Sequence, residues 1–578
     1  MKKIIVLLLI ALALAAALSG CTADGPATTE TAATAARTEE TEMKETETEA
    51  ATEPATDEII TAPDEDSAVT AWYAHSFTKT DPEKPQPTGM NSYTVYMTRG
   101  ECEDAQIVIS ASELKEGLSL QSTTLKNRNG DEIQTEVLRQ YYVKCGKTYY
   151  PDPVAPMNDT TRCFDIEAGK SQAMYVQLKT TKDTPAGDYA GVVSVMQGDK
   201  TLKQLRLFCH VWDIEMPETM SSVVTVNVYG DQIKRFHGKD MYKEYYEFLL
   251  DYRVNPWRLP YDILDERSET YMNDPRVNSF EIPYEWNDTN LLTARAEKIL
   301  SNETWSKKAF YYPYDEPTDM EKLNIVAGVG TTIKQYHPGA RIVIPFFTDI
   351  TVDKDRDQIA FMSEYINIWC PKTFCFTKTT DRASGRKVLY NSTQRKKLTE
   401  FGQRMKEEVA GGDELWWYVC WEPGEPYANM YVDMQGYVNR LLFWQQKQYN
   451  VTGFLYWSTT HWERVENPWT NMATVGTDYR TGQSWLSDSV FGDGSVLYPG
   501  TEVNVDGACG SVRLHCIRDG VEEFEMLTML EKASGRAAVD SIINKVSTNI
   551  VEYTSDENDL AAARIELGNA LEQALKNK

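Results

Sequence analysis

Hydrophobic and polar residues alternate in short runs from Val69 to about Pro217. Typical runs are S-Y-T-V-Y-M, A-Q-I-V-I-S-A and K-Q-L-R-L-F-C-H-V, and turn sequences such as N-R-N-G-D and P-A-G-D separate them. An alternation with a period of two turns one face of each strand toward a core and the other toward solvent. The pattern therefore predicts an antiparallel β-sandwich over residues 69–217, with no helix inside it.

After Pro217 short apolar runs alternate with helical segments. Eight runs are typical of strands, at residues 223–229, 253–257, 277–282, 309–314, 341–346, 365–369, 415–420 and 453–457. One of the helical patterns runs from about Thr393 to Ala410 and ends at Gly411. Eight such alternations predict a (β/α)8 TIM-like barrel over 218–533. The competing interpretation is an open doubly wound sheet, although no glycine-rich phosphate loop follows the first strand.

Two further helical segments over 534–578 predict a small C-terminal helical appendage. The predicted fold class is therefore multidomain α/β, with the sandwich, the barrel and the appendage following one another along the chain.

The first 68 residues have the composition of an export and tether segment. Lys2 and Lys3 precede an apolar run that ends in L-S-G-C at Cys21. This order predicts a secretory signal peptide over 1–20, and the ending looks like a bacterial lipobox, in which Cys21 is lipidated. Residues 22–68 then hold 14 acidic and two basic residues, which predicts a disordered acidic Thr/Glu/Ala tether over 21–68. We expect an extracytoplasmic protein, anchored to the bacterial cell membrane by its lipid alone.

Charge and metal-ligand spacing exclude several classes of function. The formal net charge is −27, which argues against nucleic acid or an anionic membrane surface as the partner. The six histidines are scattered, and the ten cysteines include no C-x-x-C pair. The sequence therefore predicts no metal site and no cofactor.

The stretch A-F-Y-Y-P-Y-D-E-P-T-D-M-E places two acids, Asp315 and Glu316, where the fourth predicted strand ends. Thr318 and Glu321 have capping-box spacing, so we expect the next helix to begin just after Pro317. Because barrel active sites lie at the C-terminal ends of the strands, the pair is predicted to lie on the catalytic rim. Successive side chains of an extended chain point in different directions, which lets the two acids take different roles.

Aromatic residues cluster where the seventh and eighth predicted strands end. Such a wall suits the apolar ring faces and polar edges of a sugar, although about half of these side chains should face the core. The sequence therefore predicts a carbohydrate site beside the acid pair. The candidates are Trp416, Trp417, Tyr418, Trp421, Trp457 and Trp462.

These motifs together resemble glycoside hydrolase family 123 across most of the chain. The resemblance rests on Y-Y-P-Y-D-E-P, on L-W-W-Y-V-C-W-E-P-G-E-P-Y, on G-F-L-Y-W-S-T-T-H-W and on S-V-R-L-H-C-I-R-D-G-V-E-E-F-E. Upstream, R-G-E-C-E-D-A-Q-I-V-I and T-P-A-G-D-Y-A-G resemble the family's N-terminal β-sandwich. The resemblance implies an exo-acting, retaining β-N-acetylgalactosaminidase, in which the substrate's own 2-acetamido oxygen attacks the anomeric carbon. Its partner would be a terminal β-linked N-acetylhexosamine of a glycan or glycolipid.

The same resemblance implies roles for individual residues. Asp315 would polarise the acetamido N–H, and Glu316 would protonate the leaving oxygen and then activate water. Tyr418 or Tyr456 would orient the acetamido oxygen. Trp417, Trp457 and Trp462 would contact the sugar. Where the family's pattern has a His-Arg pair at the second strand, this chain has Tyr252-Arg253, so a substrate contact there is expected to differ.

Two other functions fit the same residues. In the first, Glu316 remains the acid/base and Glu422 acts as a nucleophile, which would admit sugars that lack a 2-acetamido group. In the second, the protein is a surface carbohydrate-binding lipoprotein that does not catalyse, although a pure binder has no need for such an acid pair.

Overall fold

The structure is a computed structural model that describes residues 66–347, 350–353, 356–376, 404–463, 465–477 and 484–577. The predicted signal peptide, the lipidation site Cys21 and the predicted tether up to residue 65 lie outside the described residues. The helix predicted over 393–410 is described from residue 404 onward, and residues 404–410 are helical.

Twelve strands and no helix occupy residues 66–217, all of which the structure describes. They form two sheets, with the strand orders β1-β3-β10-β7-β8 and β2-β12-β11-β4-β9, and β5 and β6 extend the second sheet beside β11. The N-terminal domain is thus β-rich, as predicted. The strands are β1 (Val69–Ala74), β2 (Ser92–Arg99), β3 (Cys102–Ala111), β4 (Lys115–Ser122), β5 (Leu125–Lys126), β6 (Glu132–Ile133), β7 (Thr135–Cys145), β8 (Thr148–Pro156), β9 (Phe164–Ile166), β10 (Ser171–Lys179), β11 (Gly187–Gln197) and β12 (Lys200–Glu215).

Alternation along β3 shows why these residues form a sheet with two different faces. Ile107 and Ile109 enter a buried cluster to which both sheets contribute. Asp104 and Gln106 lie on the opposite face, which is also buried. The second face carries polar residues because it packs against the rest of the protein rather than against the second sheet.

Eight short parallel strands follow in the described residues between 218 and 463, and each lies within a stretch predicted from the sequence or overlaps one. This part of the prediction is confirmed. The strands are β13 (Val223–Val226), β14 (Asn255–Pro256), β15 (Phe280–Glu281), β16 (Ala309–Phe310), β17 (Val343–Phe346), β18 (Ile368–Pro371), β19 (Glu414–Val419) and β20 (Gly453–Tyr456).

Hydrogen bonds connect each of these strands to its neighbours. Six of them form one sheet in the order β14-β13-β20-β19-β18-β17, and β15 pairs with β16. The Glu281 N–H donates to the Trp257 carbonyl at 2.7 Å, which connects β15 to the end of β14. Tyr311, just after β16, makes a parallel bridge to Ile342, just before β17. All eight strands therefore point the same way, and their C-terminal ends meet at one edge.

Helices separate most of these strands, and the longest lie near the C-terminus. The α10 helix packs against α9 and α12. The helices are α1 (Gly230–His237), α2 (Tyr242–Asp251), α3 (Ser268–Met272), α4 (Thr289–Leu300), α5 (Glu303–Lys308), α6 (Met320–Tyr336), α7 (Gln358–Met362), α8 (404–410), α9 (Gly436–Gln448), α10 (Val512–Ser534), α11 (Arg536–Ile543) and α12 (Glu557–Lys576).

Among the described residues of the last quarter of the chain, six short strands were not predicted. They are β21 (Ala473–Thr477), β22 (Ser484–Phe491), β23 (Tyr498–Pro499), β24 (Ala508–Ser511), β25 (Ser547–Asn549) and β26 (Glu552–Tyr553). The β24 strand pairs with β8, so it extends the first sheet of the N-terminal domain. The two domains consequently share a sheet, and the predicted boundaries at 217/218 and 533/534 remain predictions.

Buried ion pairs also connect the β-rich domain to the C-terminal helices. Arg518 of α10 pairs with Asp104 at 2.7 Å, and Arg564 of α12 pairs with Glu101 at 2.6 Å. Removing one partner of such a pair leaves an uncompensated buried charge, so the pairs fix how the helices meet the sheet. Among the described residues, none of the helices has the length and apolar character needed to cross a membrane.

Candidate active site

The acid pair lies in an irregular loop after β16. Tyr311 still hydrogen-bonds to the next strand, and the chain then leaves the sheet. Glu316 has a φ of 40°, in the left-handed region that residues other than glycine seldom adopt. This corrects the expectation that the acid pair lies on an extended chain. A second correction concerns the helix start: α6 begins at Met320, and the cap is Asp319, whose carboxylate accepts the Lys322 N–H at 3.0 Å.

Asp315 is held by a tyrosine of its own loop. The Tyr312 hydroxyl donates to Asp315 Oδ1 at 2.8 Å, and the Tyr312 ring packs edge-on against Trp257, with 4.9 Å between centroids. The surrounding protein atoms keep water away from the Asp315 carboxyl, and this is the main reason that its pKa is raised to about 6. The negative charge of Glu316 adds to the rise. The Asp315 side chain is nevertheless exposed to solvent, so its raised pKa reflects nearby protein atoms and not full burial. Asp315 is therefore accessible to a ligand and ionised for the most part at neutral pH.

Glu316 is held by a different set of side chains. The Tyr418 hydroxyl donates to Glu316 Oε1 at 2.5 Å. The Lys372 ammonium lies 3.7 Å from Glu316 Oε1 and 3.8 Å from Glu422 Oε2. Lys372 immediately follows β18, while Tyr418 and Glu422 come from β19 and the loop after it. The two adjacent acids thus have separate partners, which lets them behave differently.

A third carboxylate holds an indole at the same edge of the sheet. Asp493 is buried and accepts hydrogen bonds from the Trp457 Nε1–H at 3.1 Å and the Tyr456 hydroxyl at 3.0 Å. Burial raises the pKa of Asp493 to about 6, and these two hydrogen bonds oppose the rise. Gly494 has a φ of +72°, and a Cβ there would lie 2.4 Å from Trp457 Cζ2. Both backbone and space therefore require glycine beside this tryptophan.

The tyrosines and tryptophans around these acids border one apolar cluster. Tyr418 is part of the cluster, and Trp257, Tyr312 and Trp457 pack against it. The cluster is formed by side chains of five of the parallel strands and includes Phe310 and Leu455. Trp257, Tyr312 and Trp457 are partly exposed above this buried cluster, and partly exposed aromatic rings are the kind of surface that binds a sugar ring by its face.

Two sequence models match the chain. The one described as "Glycoside hydrolase 123, catalytic domain" matches residues 249–530, and the one described as "Glycoside hydrolase 123 N-terminal domain" matches residues 73–197. The chain belongs to glycoside hydrolase family 123. It is accordingly a glycoside hydrolase with a carbohydrate substrate.

One solved structure agrees with this membership at the level of the fold. A family 123 glycoside hydrolase from Clostridium perfringens, described in work on glycolipid glycan hydrolysis, is 13% identical with a TM-score of 0.61. The match covers 88% of this chain and 98% of that one. A family 39 glycoside hydrolase from the gut symbiont Bacteroides cellulosilyticus WH2 is 10% identical with a TM-score of 0.31, covering 75% of this chain and 82% of that one. No curated protein matches the chain.

The structure brings most of the predicted site residues of this family 123 enzyme together, but not all. Asp315, Glu316 and Tyr418 lie together, and Trp457 packs against the apolar cluster that contains Tyr418. The Tyr456 side chain is fully buried, and its hydroxyl donates to Asp493 and accepts the Gly494 N–H, so it is not placed to orient a sugar. Trp417 and Trp462 were predicted to contact the sugar, but both side chains are fully buried and do not line the site. Trp417 packs against Phe376 and Tyr449, and Trp462 packs against Phe236 and Tyr245.

The predicted difference at Tyr252-Arg253 falls at the opposite end of the strands. Tyr252 and Arg253 precede β14, whereas the acid pair follows β16. The Tyr252 hydroxyl contacts His515 Nε2 at 3.1 Å, and the Arg253 Nε–H donates to Glu522 at 3.0 Å. These residues face the β-rich domain rather than the candidate site.

Lys372 and Asp493 were not predicted as site residues. Lys372 could have been found, because it comes shortly after the strand predicted over 365–369 and barrel sites are built from such positions. Asp493 follows β22, a strand absent from the prediction, so no sequence signal placed it near Trp457. Within the described part of the chain, no group of three or more His, Cys, Asp or Glu side chains is arranged to hold a metal ion.

Proposed function

We propose that this family 123 enzyme is an exo-acting, retaining β-N-acetylgalactosaminidase that uses substrate assistance. The observation that carries the proposal is the separate fixation of two neighbouring acids: Tyr312 holds Asp315, and Tyr418 holds Glu316. Substrate assistance requires one carboxylate that stays ionised against the acetamido N–H and another that transfers a proton. Two adjacent acids in different surroundings meet this requirement.

The proposed first step begins when Asp315 accepts a hydrogen bond from the acetamido N–H of the bound sugar. The acetamido oxygen then forms a bond to the anomeric carbon while the glycosidic C–O bond breaks. Glu316 gives its proton to the leaving oxygen. The positive charge that develops on the cyclised acetamido group is stabilised by the ionised Asp315 at short range.

In the second step water attacks the anomeric carbon and the bond to the acetamido oxygen breaks. Glu316, now ionised, takes a proton from that water. Two inversions at the anomeric carbon leave the product with the configuration of the substrate. Trp457 is the proposed sugar platform, because Asp493 and Gly494 fix its indole at the edge of the site.

The proposal includes the architecture that positions these groups. We propose a β-sandwich followed by a closed (β/α)8 barrel, supported by the pairing of each parallel strand with the next and of β20 with β13. It also includes an extracytoplasmic location, with signal peptide 1–20 and lipidation at Cys21. Mass spectrometry of the mature N-terminus, with Cys21→Ser as the comparison, tests the anchor. An unmodified N-terminus in the wild-type protein would contradict it.

A second candidate function has Glu422 as a nucleophile and Glu316 as the acid/base. It is favoured by the presence of both carboxylates within 4 Å of the same ammonium group of Lys372. This mechanism needs no 2-acetamido group. Hydrolysis of aryl β-N-acetylgalactosaminides and aryl β-galactosides by the wild-type, Asp315→Asn and Glu422→Gln enzymes separates the two.

For substrate assistance we expect hydrolysis of the N-acetylgalactosaminide only, a loss of about 100-fold or more in Asp315→Asn, and inhibition by a thiazoline analogue of the sugar. For the second mechanism we expect hydrolysis of the plain galactoside and its loss in Glu422→Gln. The chain is a glycoside hydrolase, which argues against a non-catalytic carbohydrate-binding protein.

A further inference from the structure

The loop that carries Glu422 is held by a buried side-chain amide. Asn429 is fully buried, and its Nδ2–H groups donate to the carbonyls of Cys420 and Pro423, each at 2.8 Å. These two carbonyls lie on either side of Glu422 in the sequence. The Cys420 N–H also donates to the Glu422 carbonyl at 3.0 Å. One amide therefore fixes the backbone on both sides of Glu422.

Further contacts hold Asn429 in place. The Met430 N–H donates to Asn429 Oδ1 at 2.6 Å, and Asn439 Nδ2 donates to the Asn429 carbonyl at 2.5 Å. Asn439 is a fully buried residue of α9. The ammonium of Lys79, a residue of the β-rich domain, donates to the Val432 carbonyl at 2.8 Å. A helix and the β-rich domain thus both support this loop.

The Glu422 side chain connects the loop to the acid pair. Glu422 Oε2 lies 3.8 Å from Lys372 Nζ, and the same ammonium lies 3.7 Å from Glu316 Oε1. The Glu422 side chain is 14% exposed, so it is accessible at the edge of the site. A shift of the loop backbone would therefore move this carboxyl relative to Glu316.

We propose that Asn429 is a positioning residue, which fixes the loop so that the Glu422 carboxyl accepts hydrogen bonds from hydroxyl groups of the bound sugar. A carboxyl offers several acceptor sites to such hydroxyls. Hydrogen bonds weaken steeply when they are misaligned, so a small displacement of the loop is enough to lose them. The inference rests on the proposed function, in which Glu422 forms no covalent bond, and adds a fixed contact to the sugar.

The steady-state kinetics of Asn429→Ala test the inference, on an aryl glycoside that the wild-type enzyme hydrolyses. We expect KM to rise about tenfold and kcat to stay within about threefold, because the lost contact is made to the bound sugar before it reacts. A purely structural role predicts the opposite division. A smaller fraction of folded enzyme would lower kcat and leave KM unchanged.

Asn278→Ala is the matched control. Asn278 Nδ2 likewise donates to two carbonyls, those of Met220 at 3.0 Å and Ser222 at 2.8 Å. Both acceptors precede β13, at the end of the strands opposite the acid pair. Asn278→Ala should lower the melting temperature and leave KM unchanged. Equal changes of KM in the two variants would overturn the role of Asn429.

A double-mutant cycle tests whether Asn429 acts through Glu422. In the Glu422→Ala background, Asn429→Ala should raise KM by less than about twofold, because the contact that it weakens is already absent. A further tenfold rise in that background would overturn the proposal. Should Asn429→Ala fail to fold, Asn439→Ala takes its place in the cycle, since it removes the hydrogen bond to the Asn429 carbonyl.

The proposed function and this inference fail by different outcomes. A wild-type KM in Asn429→Ala, with hydrolysis of an N-acetylgalactosaminide, overturns the role of Asn429 alone. Hydrolysis of a plain galactoside and not of the N-acetylgalactosaminide contradicts the proposed function, and the cycle is then measured on that galactoside. Complete loss of activity in Glu422→Ala overturns the hydrogen-bonding role of Glu422 in favour of the nucleophile.

Discussion

The Asp152 carboxylate of the N-terminal domain pairs with the Arg513 guanidinium of α10, with 2.8 Å between Oδ2 and Nη2, and both side chains are fully buried. The same guanidinium donates to the carbonyls of Met430 at 2.9 Å and Gly492 at 2.7 Å. Met430 belongs to the loop that carries Glu422, and Gly492 precedes Asp493. The β-rich domain therefore supports both loops of the candidate site through one arginine.

This relationship predicts that Asp152→Asn weakens the fold and the activity together. The variant leaves a buried guanidinium without its counter-charge, which should lower the free energy of unfolding by about 3 kcal/mol. Because both loops lose part of their support, kcat/KM should fall even at temperatures where the variant is folded. Circular dichroism melting and steady-state kinetics measure the two effects.

Lys170→Met is the matched control, since it removes an exposed ion pair of the same domain with Glu83. Its unfolding free energy should change by less than about 1 kcal/mol, with kcat/KM unchanged. If Asp152→Asn is less stable but has the wild-type kcat/KM when folded, the β-rich domain stabilises the protein without supporting the loops of the site.

A second prediction concerns the acidic side of the pH profile. Asp315 must be ionised to accept the amide N–H, and its pKa is raised to about 6. The value of kcat/KM should therefore be highest above this pH and fall as the pH decreases through about 6. Tyr312→Phe removes a hydrogen bond that favours the ionised form, so the acidic limb should move to higher pH.

Tyr311→Phe provides the comparison for Tyr312→Phe, because its hydroxyl contacts His337 Nδ1 and not the acid pair. The limb should not move in this variant. If the acidic limb lies at the same pH in the wild-type and Tyr312→Phe enzymes, the Tyr312 hydroxyl does not control the ionisation of Asp315.

A third prediction distinguishes the two kinds of tryptophan. Trp457→Phe loses the hydrogen bonds that Asp493 accepts, so we expect KM to rise by about tenfold with a small change in melting temperature. Trp417→Phe should lower the melting temperature, because its indole fills space between Phe376 and Tyr449, but leave KM unchanged. If KM changes equally in both variants, Trp457 is not a sugar platform.

The strands and the acid pair could be predicted because their signals are local. Each of the eight parallel strands is a short apolar run between polar segments, and Asp315 and Glu316 directly follow the run predicted over 309–314. The direction of each aromatic side chain could not be predicted. Trp416 and Trp417 are neighbours that point to opposite sides of β19, and Trp416 enters the cluster below the acids while Trp417 packs outward.

Contacts between distant segments could not be predicted from the sequence either. The start of α6 depended on whether Thr318 or Asp319 accepted the first free N–H, and both residues are good caps. Asp493 meets Trp457 only because a two-stranded sheet formed by β21 and β22 returns the chain to the site. Hydrophobic periodicity does not predict that a later segment of the chain will pack against an earlier one.

The central claim is that Asp315 stays ionised against the acetamido group while Glu316 transfers a proton. Its most direct test is the kcat/KM of Asp315→Asn on an aryl β-N-acetylgalactosaminide at neutral pH. The predicted result is a loss of about 100-fold or more relative to the wild-type enzyme, because the neutral amide cannot stabilise the charge on the cyclised acetamido group. A value within twofold of the wild-type enzyme would contradict substrate assistance.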